Sequence, residues 1–302
     1  MNVGVVGAGI IWRRNHREQF ERLRGSLAIR AFSARTEETR QSVRKEHPHA
    51  AVFADYRQML ADPEIEAVTV LTPIRLNAQV TLEALDAGKH VLVEKPFCTS
   101  SEEGRTIINK SRQTGQKVFI LEQFAYEPKF HKAREIIQSG SLGKPVHATC
   151  VGHSPLGPEF DNGAGYGTNL WRMSGEVPLG TLFDGGIHYL SALNLLLGAP
   201  TKLYALGQRC RPEFGEYDHI TLQMGYKDGT SSVYSHSGFL GPPKKFLDIA
   251  LTGGRVEIGK DLTVSDRKGN KLEKYVPDQR ANDVMWNAAV DYLLHDKGCE
   301  YD

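Results

Sequence analysis

The chain lacks any apolar run approaching the about 18 residues that a membrane helix requires. A membrane-spanning organisation is therefore not expected. Cysteine is scarce, and Cys98, Cys150, Cys210 and Cys299 form no CxxC pair and no histidine cluster with ligand spacing. This excludes a disulfide scaffold and gives no reason to assign a metal. An excess of one charge is also missing, since 37 Lys and Arg face 36 Asp and Glu for a net charge of +1. No global field attracts nucleic acid or an anionic membrane. Strand character begins at Asn2, leaving no room for a signal or transit peptide, so the expectation is a cytoplasmic protein with free thiols.

What is present is enough apolar residue, 40% of 302, to fill two cores. Short β-like runs at Asn2–Val6, Ala28–Phe32, Ala67–Leu71, His90–Val93 and Lys117–Leu121 alternate with helical patterns near His16–Leu23, Glu37–Glu46, Tyr56–Ala61, Leu76–Ala87 and Ser101–Thr114. That alternation requires parallel strands joined by crossover helices. After a helix over Pro128–Ser139 and a link-like Gly143-Lys144-Pro145, the rhythm changes. Val146–His153, Lys202–Cys210, His219–Tyr226, Thr230–His236, Phe246–Leu251 and Leu262–Val264 read as strands, with hairpin turns at Lys227-Asp228-Gly229 and Lys268-Gly269-Asn270. The fold class expected is α/β: a Rossmann domain over residues 1–121, then an α+β domain over 122–302 with a large, mainly antiparallel sheet for substrate binding and oligomerisation. The irregular stretch Asp161–Gly186 reads as a functional loop.

Gly7-Ala8-Gly9 follows the first apolar strand directly. Glycines at 7 and 9 let the backbone bend sharply and approach a pyrophosphate, which the N-terminus of the next helix attracts. The third fingerprint position, normally small, holds Trp12. The second strand ends in Phe32-Ser33-Ala34-Arg35 without the acid that binds a ribose 2′-hydroxyl. Ser33 and Arg35 suit a 2′-phosphate, so NADP(H) is expected over NAD(H), with NAD(H) still open. The other arginines between Arg13 and Lys45 are interspersed with acids and read mainly as a solvated helix face.

The GxG turn, Leu71-Thr72-Pro73, Ala87-Gly88-Lys89-His90-Val91-Leu92-Val93-Glu94-Lys95-Pro96, Tyr126-Glu127-Pro128, Gly140-Ser141-Leu142-Gly143-Lys144-Pro145, Trp171-Arg172 and Asp184-Gly185-Gly186-Ile187-His188 occur in this order. Together they resemble the glucose-fructose oxidoreductase, inositol dehydrogenase and rhizopine-catabolism (Gfo/Idh/MocA) family over nearly the whole chain. The resemblance implies a nicotinamide-dependent dehydrogenase or reductase acting on a sugar, a sugar derivative or a cyclitol. It implies catalytic roles for Lys95, Asp184 and His188, and a cis bond at Lys95–Pro96 as relatives often have. An ammonium beside the reacting oxygen stabilises an alkoxide, and an imidazole oriented by a carboxylate takes its proton. Read without the family, His188 is more often a core or capping histidine than a catalytic one, and a surface ion pair of Glu94 with Lys95 is the lesser alternative to an aimed lysine.

The same resemblance implies cofactor contacts from Gly7, Gly9, Ile10, Ile11, Ser33, Arg35, Leu71, Thr72, Pro73, Asn77, Glu94, Lys95, Gln123 and Arg172. Substrate contacts are implied for Lys95, Tyr166, Trp171, Arg172, Asp184 and His188, with Gln123 also a candidate for polyol contact. The chain departs from the family at Trp12, at Asn77 where histidine is common, and at Ser191 where aspartate is frequent. Two alternatives remain open: a redox-assisted glycoside hydrolase using held NAD, and a non-catalytic cofactor-sensing regulator. The expected partners are a small polyol and further copies of the chain, as a homodimer or homotetramer, with no nucleic acid and no membrane. His147 and His153 read as surface residues.

Overall fold

A computed structural model describes residues 1–157, 160, 179–211 and 216–300. The chain divides into two compact units, Met1–Glu122 with Met285–Asp302, and Gln123–Val284.

The first unit is built on six parallel strands, β1 (Asn2–Val6), β2 (Ala28–Ser33), β3 (Ala51–Phe53), β4 (Ala67–Val70), β5 (His90–Glu94) and β6 (Val118–Leu121). Their spatial order is β3-β2-β1-β4-β5-β6, which reverses direction between β1 and β4. In open sheets of this kind the ligand crevice lies outside the carboxyl ends of the strands at that reversal. Register brings those ends to one edge: Val6 lies opposite Ser33 and Val70, Val70 opposite Val93, and Glu94 opposite Leu121. The central strands are mostly apolar because helices cover both faces, and Val3, Val5, Val68, Val91 and Leu92 are fully buried. Gly115 ends the helix Ser101–Thr114 in the left-handed conformation, φ +71°.

The second unit carries an eight-stranded sheet. Its members are β7 (Pro145–His153), β8 (Lys202–Gln208), β9 (His219–Gly225), β10 (Ser231–Ser237), β11 (Lys244–Leu251), β12 (Gly254–Ile258), β13 (Leu262–Asp266) and β14 (Lys271–Tyr275). The order β14-β13-β12-β11-β7-β10-β9-β8 is antiparallel except where β10 lies parallel to β7. One cross-strand row, Leu222, Tyr234, Cys150, Leu247, Ile258 and Leu262, is buried under the helices Pro128–Ser139 and Ile187–Leu197. The adjacent row, Thr221, Ser235, Val151 and Phe246, points to the other face and is only partly covered.

The structure differs from the sequence reading at three points. The second unit starts before the helix Pro128–Ser139, so Gly143-Lys144-Pro145 is no link between units, and Pro145 opens β7. The helix Ala281–His295 leaves the second unit at Met285, because its apolar stripe packs Trp286 edge-on against His16 and Phe20 at 5.6 and 5.0 Å. Residues 285–302 therefore fall outside the expected 122–302 boundary. Strands β3, β12 and β14 had no sequence reading: β3 has three residues, β12 has only Val256 and Ile258 as large apolar members, and β14 has little apolar character.

Candidate functional site

The turn after β1 is constrained from two sides. Gly7 adopts φ +96°, its N–H donates to the Ser33 carbonyl at 2.9 Å, and a Cβ there would meet the Leu71 oxygen at 2.6 Å. At Gly9 a Cβ would meet nothing within 4 Å, so its exposed backbone faces open space. The glycines thus have separate reasons, a left-handed bend and an open approach. Ile10 and Ile11 follow in the first helical residues and are partly accessible.

Trp12 does not block this bend. The segment Trp12–His16 forms one wide helical turn, in which the Arg17 N–H reaches back to the Trp12 carbonyl. The indole is turned inward between Phe20 and Phe32, at ring distances of 5.4 and 5.2 Å, with His47 at 6.0 Å. Its Nε1 is buried without a hydrogen-bond partner. Burial holds His47 below its ordinary pKa.

At the end of β2, Ser33 is buried and its carbonyl is bound to Gly7, while Arg35 is exposed. Arg40 bonds the Ala34 and Arg35 carbonyls at 2.8 and 2.7 Å and pairs with Glu37, and Arg44 also pairs with Glu37. Those two guanidiniums brace the loop. The Arg35 guanidinium makes no such bond among the described residues, which fits a phosphate ligand.

The Lys95–Pro96 bond is cis. Asn77 holds this bend: its Nδ2 donates to the Glu94 carbonyl at 3.2 Å and the Pro96 carbonyl at 2.8 Å, and Thr72 Oγ1 donates to its Oδ1 at 2.7 Å. Asn77 is buried with both amide hydrogens engaged, so it braces the Lys95 segment. Glu94 is likewise enclosed, its Oε1 2.8 Å from His16 Nε2, the histidine side chain being fully buried. Leu71, Thr72 and Lys95 stay partly accessible and Pro73 is exposed, all at the same sheet edge as Gly7 and Gly9. His16 had no sequence signal, because nothing in the spacing relates it to a strand end 78 residues away.

In the second unit Asp184 and His188 do not lie on one regular helix. Asp184, 6% exposed, sits in a wide five-residue turn, Leu182–Gly186, and His188 is the second residue of the helix that follows. The His188 ring stacks on Phe124 at 4.8 Å and 22°. Phe124 meets the Tyr189 ring edge-on at 5.3 Å, and burial raises the Tyr189 hydroxyl above its ordinary pKa. Beneath the turn, Tyr234 Oη donates to the Gly186 carbonyl at 3.0 Å and lies 3.3 Å from His236 Nδ1, while His236 Nε2 lies 3.2 Å from Thr181 Oγ1. Burial pushes the His236 imidazole down to about 4.

The first unit thus gathers Gly7, Gly9, Leu71, Thr72, Glu94 and Lys95, and the second gathers Asp184 with His188; Gln123, partly accessible, opens the second unit. Tyr166, Trp171 and Arg172 lie outside the described residues, as does most of the expected loop Asp161–Gly186. His147 and His153 are half-buried and bonded to Ser231 and Ser235 across β7 and β10 at 2.8 and 2.9 Å, and are not free surface groups.

A doubly wound parallel sheet with a GxG turn at its reversal, followed by a unit with a large mixed sheet, defines a class of dinucleotide-dependent oxidoreductases. Two family models match in sequence: the oxidoreductase family with an NAD-binding Rossmann fold over residues 1–122, and the GFO/IDH/MocA C-terminal domain over residues 130–257. The chain belongs to the Gfo/Idh/MocA family of oxidoreductases. It is 29% identical over 227 residues to scyllo-inositol 2-dehydrogenase (NADP(+)) IolW of Bacillus subtilis, covering 74% of this chain and 60% of that protein. It is 27% identical over 252 residues to D-xylose 1-dehydrogenase (NADP(+)) 2 of Haloferax volcanii, covering 83% of this chain and 73% of that one. An oxidoreductase crystal structure from Thermotoga maritima superposes with a TM-score of 0.90 at 26% identity, covering 99% of this chain and 89% of that chain.

Proposed function

We propose that the protein is an NADP(H)-dependent oxidoreductase that interconverts a carbinol and a carbonyl on a sugar, a sugar derivative or a cyclitol. The observation that carries this reading is the common sheet edge that presents the open Gly7–Gly9 turn together with the braced Lys95 bend. Gly7, Gly9 and the helix after them hold the pyrophosphate, and Arg35 holds the 2′-phosphate. When bound, the nicotinamide accepts or donates the hydride. Lys95 stabilises negative charge on the reacting oxygen, His188 takes or returns its proton, and Asp184 orients the imidazole. The Phe124 ring against His188 limits water at that face. The similarity to an NADP-dependent scyllo-inositol dehydrogenase of Bacillus subtilis and an NADP-dependent D-xylose dehydrogenase of Haloferax volcanii supports this substrate class.

The test is an absorbance screen of NADP(H) and NAD(H) against aldoses, ketoses and inositols. Lys95→Ala and His188→Ala should retain cofactor binding while turnover falls at least about a hundredfold. Wild-type turnover in both variants rejects the assignment. The chain also self-associates, in this reading, through the partly covered face of the second unit's sheet.

A further inference from the structure

The turn that carries Asp184 rests on a buried polar network whose cost in the core calls for a purpose. Core-facing positions of β10 include Tyr234, fully buried, and His236, 5% exposed, while the cross-strand neighbours of Tyr234 are Leu222 and Cys150. Apolar side chains would pack there without desolvating a hydroxyl and an imidazole. Their bonds run to the backbone and side chain of the Asp184 turn. Tyr234 reaches the carbonyl of Gly186, the last residue of the turn, and His236 reaches Thr181, the residue just before it.

Three glycines make room for this arrangement. A Cβ on Gly186 would meet His236 Cγ at 2.9 Å, one on Gly152 would meet Tyr234 Oη at 3.0 Å, and one on Gly238 would meet Thr181 Cγ2 at 2.7 Å. Tyr234 Oη gives its single proton to Gly186, and the His236 ring bridges the tyrosine oxygen at Nδ1 and the Thr181 hydroxyl at Nε2, the donor at each contact set by the tautomer. One neutral imidazole is thereby satisfied at both nitrogens, and the two ends of the turn are tied to one strand.

We infer that Tyr234 and His236 are positioning residues for the acid/base segment: they clamp Thr181 and Gly186, and so set where Asp184 and His188 stand. The inference rests on the proposed role of His188. Both β10 side chains are buried beneath the turn, and their effect is transmitted through its backbone.

The experiment compares Tyr234→Phe, His236→Leu and His236→Asn with the wild type by turnover, NADP(H) binding, thermal melting and the titration of His188 followed by histidine-labelled NMR. Tyr234→Phe and His236→Leu should lower kcat by about tenfold to a hundredfold, as expected for a displaced acid/base group, with NADP(H) affinity within about twofold. The His188 titration midpoint should move in both variants. His236→Asn, which keeps a donor near the Nδ1 position, should recover part of the rate. Should His236→Leu fail to fold, Tyr234→Phe removes a single hydroxyl and carries the test alone. Turnover per folded molecule equal to the wild type, with an unmoved His188 midpoint, overturns the inference. The NMR readout needs no substrate, so a failed role for His188, seen as full turnover in His188→Ala, is distinguished from a failed clamp.

Discussion

At the scale of single residues, the phosphate turn separates two uses of glycine. Gly7 must be glycine for conformation and for space, with φ +96° and the Leu71 oxygen only 2.6 Å from where a Cβ would stand, whereas Gly9 faces open space. Gly7→Ala should therefore destabilise the first unit by at least about 1–2 kcal/mol, the usual cost of a left-handed alanine before any clash, and denaturant titration reads it directly. Gly9→Ala should leave stability nearly unchanged and weaken cofactor binding, because its new methyl enters the space where the nucleotide approaches. Arg35 makes no ion pair among the described residues, whereas Arg40 and Arg44 brace Glu37 and the loop. Arg35→Ala should lower NADP(H) affinity about tenfold to a hundredfold, the value of one charge-assisted contact, and leave NAD(H) affinity unchanged by fluorescence titration. Equal loss for both nucleotides refutes a 2′-phosphate role.

At the scale of elements, each unit contains one wide helical turn among the described residues, Trp12–His16 after the glycine bend in the first and Leu182–Gly186 around Asp184 in the second. Such turns widen the helix by one residue and are frequent where function dictates geometry. Neither was legible in the sequence, because Trp12 and the Asp184–His188 spacing read as a misfit and as a regular helical turn. Their anchors were equally hidden, since His16 reaches Glu94 and His236 reaches Thr181 across 78 and 55 positions of sequence. Strand ends and helix stops were legible for the opposite reason: β1 and the left-handed Gly115 are set by residues within a few positions. The anchors also carry a pH signature. His236 is held at about 4 when folded against an ordinary 6.5, so as pH falls the unfolded chain takes the proton first. The stability due to its neutral form is complete above about pH 6.5 and lost by about pH 4, at most about 3 kcal/mol. His47, His90 and His153, each lowered by burial, act in the same direction. Urea titrations at about pH 7 and pH 5 should show a smaller loss in His236→Leu than in the wild type.

At the scale of the whole molecule, the alternation of strand and helix made the parallel unit readable, and the change of rhythm after Pro145 made the second sheet readable. What periodicity could not supply was the use of the second sheet's two faces. Register now separates them. The row Leu206, Thr221, Ser235, Val151 and Phe246 and the row Tyr204, Gln223, Val233, Thr149, Asp248 and Glu257 run across the face opposite the helices. At its edge Tyr204 and Leu206 are 61% and 57% exposed. A broad face mixing apolar side chains with Asp248, Glu257 and Arg255 can meet a second copy across a two-fold axis, where acid and base exchange places. Val151 lies on β7, a central strand of this face, with neighbours Ser235 and Phe246. A charge there is tolerated in a monomer, where water reaches it, and is buried in a face-to-face dimer without a partner. Val151→Glu should therefore convert the protein to monomers while changing the melting temperature of the isolated fold little. Sedimentation equilibrium distinguishes the outcomes, and a wild-type protein already monomeric at micromolar concentration removes the interface.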